Sequence, residues 1–174
     1  MSFSFNGVSA ESMGLYVLPY TRPFKAEQRV VQTYVQGRSG TYDYTDESFA
    51  NGVISIPCVY FGSTAPETIR QIATWLHGTG TLIFDDNPDV YYKASLWTNI
   101  DLSEMLFEKQ LTLEFTVYPF AFSQNQQVTA TLATSGSSLT VQVGGTAPTP
   151  CRIIITNNGQ NTLTNLMVMR SSTV

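Results

Sequence analysis

The fold is decided by one short segment, Thr64-Ala65-Pro66-Glu67-Thr68-Ile69-Arg70-Gln71-Ile72-Ala73-Thr74-Trp75-Leu76-His77-Gly78. Its apolar side chains recur at intervals of three and four residues, which predicts an amphipathic helix over residues 65–77. The predicted core face consists of Ile69, Ile72, Ala73 and Leu76. Thr64 and Glu67 have the spacing of a capping box, Pro66 suits a first helical turn, and Gly78 can adopt a left-handed C-terminal cap.

The rest of the chain is dominated by strand patterns. The clearest runs over residues 110–118, where Leu111, Leu113, Phe115 and Val117 alternate with polar residues. Other strands are predicted at residues 3–5 (before an Asn6-Gly7 turn), 15–18, 28–36, 41–45, 53–61 (with Pro57 at an edge or bulge), 82–84 and 90–97. The sequence therefore predicts a mainly β protein, a β-sandwich that carries one amphipathic helix.

Two hairpins stand out, and either could build a contact between subunits. The first closes over Gly37-Arg38-Ser39-Gly40 and is predicted to project from the domain. Exposed hairpin edges can pair with a neighbouring chain. The candidate interface residues are Tyr34, Arg38, Tyr42 and Tyr44. The second hairpin joins residues 82–84 to 90–97 across a predicted turn at 85–89.

The composition changes after residue 122. Residues 123–150 are rich in Gln, Asn, Thr, Ser and Gly and predict a linker or an extended segment. A strand is then predicted at 151–156, a turn at 157–159 and a second strand at 163–169. These 24 residues cannot bury a core alone, so they predict the start of a second β-domain. The expected domains are 1–122 and 151–174, joined by 123–150.

Charge and composition exclude several classes of function. The 174 residues carry a net charge of −4 and no basic cluster, so sequence readout of nucleic acid is not expected. No segment has the length and hydrophobicity of a membrane span, and the first residues lack a secretion signal pattern. Cys58 and Cys151 could pair or could remain separate buried thiols.

The sequence contains no motif that assigns a catalytic, cofactor-binding or metal-binding residue. The acidic run Asp85, Asp86, Asn87 and Asp89 lacks the glycine and distal glutamate of a calcium loop, and we interpret it as a hairpin turn. His77 is the only histidine, and no nucleophile motif accompanies it.

Two other classes of function, a cell-wall hydrolase and a carbohydrate-binding module, fit individual residues of the sequence. Glu104, Glu108 and Glu114 could form the carboxylate pair of a cell-wall hydrolase, but solvated strand edges are the better interpretation of these residues. Trp75, Trp97 and nine tyrosines could form the stacking platform of a carbohydrate-binding module. Aromatic residues in these numbers are also typical of a β-sandwich core or of a protein interface.

A series of short motifs occurs in a fixed order along the chain: Phe3–Gly7, the turn at 37–40, Trp75–Gly78, Leu82–Asp86, Tyr92–Ala94 and Tyr118–Phe120. In this order and spacing, residues 1–122 resemble the N-terminal part of siphophage distal tail proteins, the baseplate hub of long non-contractile tails. Residues 151–168 are similar to the first strands of the galectin-like C-terminal domain of that family.

The resemblance implies a structural protein of the virion tail tip, made in the host cytoplasm and without catalytic residues or cofactors. Six copies would close into a ring around the tail channel. One face of the ring would meet the major tail (tube) protein, and the other would meet the tail-associated tip protein. Attachment of receptor-binding proteins or contact with host sugars would belong to the galectin-like domain, of which only the first strands are matched.

Overall fold

A computed structural model describes residues 2–124, 128–132, 137–141, 144–147, 152–162 and 164–169. The chain divides into two compact units, Met1–Val141 and Gln142–Val174. The domain boundaries predicted from the sequence at residues 122 and 150 stay predictions. All the strands and helices described below belong to the first unit.

The first unit is mainly β. Its strands are β1 (Phe3–Phe5), β2 (Val8–Ser9), β3 (Leu15–Val17), β4 (Gln28–Tyr34), β5 (Thr41–Phe49), β6 (Gly52–Tyr60), β7 (Gly78–Phe84), β8 (Asn87–Leu96), β9 (Gln110–Val117) and β10 (Phe122–Ser123). Helix α1 spans Pro66–Trp75, a 3₁₀ turn spans Glu11–Met13, and a π-helical turn spans Glu104–Glu108. The predicted combination of a β fold, one α-helix and a separate hairpin is confirmed.

Seven strands form an antiparallel sheet in the order β2-β1-β7-β8-β9-β6-β3, and β10 pairs with β8 beside it. The sheet curls, and Ala10 links β1 to the edge strand β3. The Ala10 N–H donates to the carbonyl of Phe3, and the Ala10 carbonyl accepts from the N–H of Leu15, both at 2.9 Å. The strands at the two edges are only two and three residues long, so the outer edges of these two strands are short.

The alternation in β9 and the turn after β1 are both as predicted. Leu111, Leu113, Phe115 and Val117 are buried, and the polar residues between them lie outward. Asn6 and Gly7 adopt positive φ angles of 52° and 79°, and Phe5 pairs with Val8 across them. This is the geometry that suits a two-residue hairpin turn.

The helix starts one residue later than predicted and uses no capping box. Ala65, not Thr64, is the N-cap, and its backbone is extended with φ −61° and ψ 135°. Proline disfavours the helical conformation in the residue before it, so Pro66 fixes the boundary at Ala65. The hydroxyl of Ser63 accepts a hydrogen bond from the Ala65 N–H at 3.2 Å.

The face that the helix buries differs from the predicted one by a single residue. Ile72 and Leu76 are buried and Ile69 is half-buried, but Ala73 is exposed and Trp75 takes its place in the core. The buried stripe is centred on Ile72, which puts Ala73 about 100° away around the axis. Trp75 is favoured because burying its large ring removes more apolar surface from water.

Two prolines lie inside strands for identifiable reasons. Pro88 was predicted to be part of a five-residue turn, but the turn is Asp85-Asp86 and Pro88 belongs to β8. The pairing of β7 with β8 is irregular between the Phe84–Asn87 and Leu82–Tyr92 pairs, and Pro88 lies in this stretch. The N–H that proline lacks is therefore not needed for a hydrogen bond between these two strands. β6 is an internal strand without a bulge at Pro57, so that prediction was wrong.

Pro57 is tolerated because β3 is short. The ladder between β3 and β6 ends at the Val17–Cys58 pair, and Cys58 is the neighbour of Pro57 in the chain. The carbonyl of Pro57 accepts a bond from Leu18 N–H at 2.8 Å. In an antiparallel strand, the nitrogen and the carbonyl of one residue point to the same neighbouring strand. The nitrogen of Pro57 therefore points to the side of β3, at the place where the ladder between β3 and β6 has ended.

The second unit differs from its prediction. No strand ladder forms within residues 152–158 or 164–169 of the described chain, although strands were predicted at 151–156 and 163–169. A strand needs a hydrogen-bonded neighbour, and apolar sequence alone does not supply one. The predicted turn does form, because the side-chain oxygen of Asn157 accepts a bond from Gly159 N–H at 3.0 Å. Cys151 lies outside the described residues.

We expect the buried thiol of Cys58 to be unreactive in the folded chain. Burial raises its pKa to about 12, so at pH 8 the thiol is protonated and lacks the nucleophilic thiolate. Thiol titration of a Cys151→Ser variant should give no fast reaction in buffer and one equivalent in urea. Fast reaction without denaturant would contradict the buried position of Cys58.

Gly14, the C-cap of the 3₁₀ turn, should tolerate replacement poorly. Its φ is +77°, and a Cβ there would lie 2.7 Å from the Cα of Gly62. Gly14→Ala should lower the free energy of unfolding by about 2–5 kcal/mol through strain and overlap. Gly7→Ala is the matched control, because Gly7 has φ +79° with open space around it, and it should cost only about 1–2 kcal/mol. Urea unfolding followed by tryptophan fluorescence compares the two, and equal losses would contradict the overlap.

Candidate assembly surfaces

The hairpin of β4 and β5, Gln28–Phe49, lies outside the core, and we call it the arm. Every residue from Gln28 to Glu47 is exposed, including Tyr34 at 70% and Tyr44 at 61%. Its turn contains Gly37 and Gly40 with φ of 83° and 85°, as the sequence predicted. Within the described residues no strand pairs with the outer edge of β4 or of β5. The arm therefore presents two long unpaired edges, unlike the main sheet.

The two faces of the arm differ in chemistry. Cross-strand partners share a face of a hairpin. The pairs Val31–Tyr44 and Thr33–Tyr42 form what we call the tyrosine face. The guanidinium of Arg38 lies 4.0 Å from the centre of the Tyr42 ring, which adds a positive charge there.

The opposite side, which we call the Asp43 face, is formed by the pairs Val30–Thr45, Gln32–Asp43 and Tyr34–Thr41. The side-chain amide of Gln32 donates to Asp43 at 3.0 Å, so the carboxylate is held in place. The arm thus carries a carboxylate on one face and a guanidinium beside the other.

The root of the arm is fixed to the body on both sides. The ring of Phe49 meets that of Phe120 edge-on at 4.9 Å, and Ala50 N–H donates to the Glu27 carbonyl at 2.8 Å. Before the arm, Arg22 forms an ion pair with Asp86 and lies 4.5 Å from the centre of the Phe84 ring.

A second surface lies on the face of the sheet that points away from the core. β7, β8 and β9 form a shallow open pocket there, which we call the outer pocket, with a volume of about 450 Å³. Hydroxyl and aromatic side chains dominate its lining, which includes Thr79, Thr81, Tyr91, Lys93, Ser95, Thr116 and Tyr118. Lys93 is the one charged residue of this lining.

A ladder of aromatic rings borders the outer pocket. Tyr91 stacks on Phe122 with ring centres 5.5 Å apart, and Tyr118 lies 5.5 Å from the same ring. The ammonium of Lys93 lies 4.3 Å from the centre of the Phe122 ring, a cation–π contact that holds the side chain over the ladder.

The four candidate interface residues predicted from the sequence all lie on the arm but not on one face. Tyr42 and Tyr44 belong to the tyrosine face, Arg38 lies beside it, and Tyr34 is on the opposite face. The sequence analysis missed the outer pocket. The alternation of outward Tyr91, Lys93 and Ser95 with inward residues in β8 was the signal that could have indicated it.

Among the residues considered for catalysis and metal binding, Glu104 and Glu108 line one small pocket, whereas Glu114 and His77 lie elsewhere. Glu104 and Glu108 lie on the π-helical turn, Glu114 is exposed on β9, and His77 is exposed after the helix. In the described residues no three side chains of histidine, cysteine, aspartate or glutamate gather into a possible metal site. The described part contains no helix that is long and apolar enough to span a membrane.

Comparison with known families identifies the region that contains these surfaces. A family model described as a phage tail protein RIFT-related domain matches residues 11–117, well over half of the chain. That span includes the whole arm and most of the outer pocket. No curated protein matched the sequence.

The fold also matches a solved structure, that of Dit (gp 19.1) from phage SPP1, with a TM-score of 0.58 and 15% sequence identity. The match covers 70% of this chain and 51% of that one, so it involves about half the length of the SPP1 protein. SPP1 Dit is described as a paradigm of the hub adsorption apparatus in phages that infect Gram-positive bacteria. The family match and the shared fold confirm the resemblance drawn from the sequence motifs.

The body should fold without the arm, because the buried core contains no residue of Gln28–Glu47. Replacing residues 30–45 by a short Gly-Ser link keeps the Gln28–Phe49 pair and the Phe49–Phe120 contact. We expect the free energy of unfolding to change by no more than about 1 kcal/mol, as for surface changes that leave the core intact. Urea unfolding measures it, and a body that fails to fold would show that the arm is part of the folding unit.

Proposed function

Because this chain belongs to the family of phage tail proteins with a RIFT-related domain, we propose that it is a distal tail protein that forms a ring at the tip of a siphophage tail. Six copies surround the tail channel. One face of the ring meets the last ring of the major tail protein, and the other meets the tail-associated tip protein. The chain acts as a structural component of the virion and has no enzymatic role.

The arm is the observation that carries this proposal. A two-stranded sheet alone is marginally stable in water and gains stability when another surface covers it. Its exposed side chains include Val31 at 67% and the tyrosines of both faces. Tyrosine is enriched where proteins bind each other, because its ring buries a large apolar area while its hydroxyl keeps a hydrogen bond. A neighbouring subunit can supply this cover.

A ring also gives the long unpaired edges of the arm a regular partner. Head-to-tail contacts between identical subunits close into a ring when each contact rotates the next copy by a fixed angle. Unpaired strand edges elsewhere would invite uncontrolled pairing. In the main sheet the edge strands have only two and three residues, so the arm is the principal place where strand pairing can extend.

Light scattering after size-exclusion chromatography tests the ring directly. The unmodified chain should elute with six times the mass of one chain, or twelve times if two rings stack. A chain that stays monomeric at every concentration and binds cell-wall glycans would support a carbohydrate-binding module instead, and would contradict the ring.

Replacing Tyr42 and Tyr44 by aspartate should abolish the ring while the subunit remains folded. Two carboxylates on the tyrosine face would have to lose their hydration in the contact, which is costly for unpaired charges. The matched control replaces Trp97 and Phe107 by aspartate, because both are exposed aromatic residues outside the arm. The control should still assemble, whereas an intact ring from the Tyr42→Asp/Tyr44→Asp variant would show that the tyrosine face is not buried in the contact.

A further inference from the structure

The ring leaves open which surface of the next subunit receives the arm. In a head-to-tail ring each subunit contributes two different surfaces, since a surface that pairs with its own copy produces a closed dimer. The arm is one of the two surfaces, and the receiving surface must therefore lie elsewhere on the chain. It should be concave and should complement the arm in charge.

The outer pocket meets both requirements. It is a concavity of about 450 Å³, and Lys93 is its one charged lining residue. Lys93 is exposed, and the described part of the chain gives it no carboxylate partner. The aromatic contact with Phe122 leaves the ammonium hydrogens free to bind an anion from outside.

The Asp43 face of the arm supplies a matching anion. Asp43 is exposed and has no cationic partner among the described residues, and its two bonds come from the uncharged side chains of Gln32 and Thr41. Tyr34 lies on the same face, in the next pair of that face toward the tip of the arm. Its ring could pack against Tyr91 and Tyr118 of the outer pocket, which are aromatic as well. The tyrosine face, with Arg38 beside it, would bring a positive charge to Lys93, so in the contact it lies against another part of the neighbour, outside the pocket.

We propose that the Asp43 face of the arm docks into the outer pocket of the next copy in the ring, with Asp43 against Lys93. The inference rests on the proposed ring and identifies its two contact surfaces. Each subunit gives its arm to one neighbour and receives an arm from the other. The partner of the outer pocket is thus a second copy of this chain.

Charge exchange tests this arrangement with two variants, Asp43→Lys and Lys93→Asp. In either variant alone, every contact of the ring would bring two like charges together. Each should then need a chain concentration higher by about tenfold or more for half-assembly, because close interfacial charge pairs couple at more than 1 kcal/mol. Mixed in equal amounts, the two variants have opposite charges at every contact if they alternate around the ring. The mixture should assemble near the concentration of the unmodified chain.

A matched control uses Glu47→Lys, which makes the same charge change at an exposed site near the root of the arm. Combined with Lys93→Asp in one chain, it should not restore assembly, because the two like charges at the contact remain. A single chain that carries both Asp43→Lys and Lys93→Asp should assemble alone, which would show that both substituted chains fold. Analytical ultracentrifugation gives the masses, and circular dichroism compares the folds.

The possible failures are distinguishable. If the unmodified chain does not assemble, the ring itself is wrong. If it assembles and either single variant assembles equally well, the ring stands but Asp43 and Lys93 are not partners, and the outer pocket belongs to another occupant. If both single variants fail and neither the mixture nor the double variant recovers, the pairing of these two surfaces is wrong.

Discussion

The fold depends on the docking of Trp75 against the first strand. The indole N–H donates to the carbonyl of Phe5 at 2.8 Å, and the ring lies parallel to that of Phe3 with centres 6.3 Å apart. Phe3 and Phe5 in turn contact Phe115 of the central strand β9, at 5.7 and 5.3 Å between ring centres. One side chain of the helix therefore joins the N-terminal strand to the middle of the sheet. A buried indole needs an acceptor for its N–H, which also fixes the rotation of the helix.

This aromatic centre gives the body a core that does not need the arm. The buried residues come from the main sheet, the helix and the π-helical turn, and the arm joins them only through its root. The molecule thus separates two tasks, because stability resides in the body and the surfaces suited to contact reside in the arm and the outer pocket. A tail protein of this family benefits from that separation, since substitutions that adapt a contact leave the core unchanged.

The sequence predicted those features that local chemistry controls. Period-two alternation located β9, the Asn6-Gly7 pair located the first turn, and the glycines at 37 and 40 located the arm. The failures occurred where a distant partner decided the outcome. Ala73 and Trp75 are comparable candidates by sequence spacing, but the buried indole N–H of Trp75 needs an acceptor, and the carbonyl of Phe5, seventy residues earlier, supplies it. The outer pocket combines residues from three strands, so the alternation in β8 could indicate only one part of its lining. The last segment has strand-like composition but lacks a neighbouring strand among the described residues.

Side chains along each strand of the arm alternate between its two faces, and this alternation limits how the length of the arm can change during evolution. Each residue adds about 3.3 Å to a strand, so inserting two residues in each strand would lengthen the arm by about 7 Å and keep both faces in place. A single-residue insertion in each strand would turn every side chain beyond it to the opposite face, exchanging the carboxylate side with the tyrosine side. The arms of related chains should therefore differ in length by even numbers of residues per strand, and the diameter or spacing of the assemblies they build should vary in discrete steps.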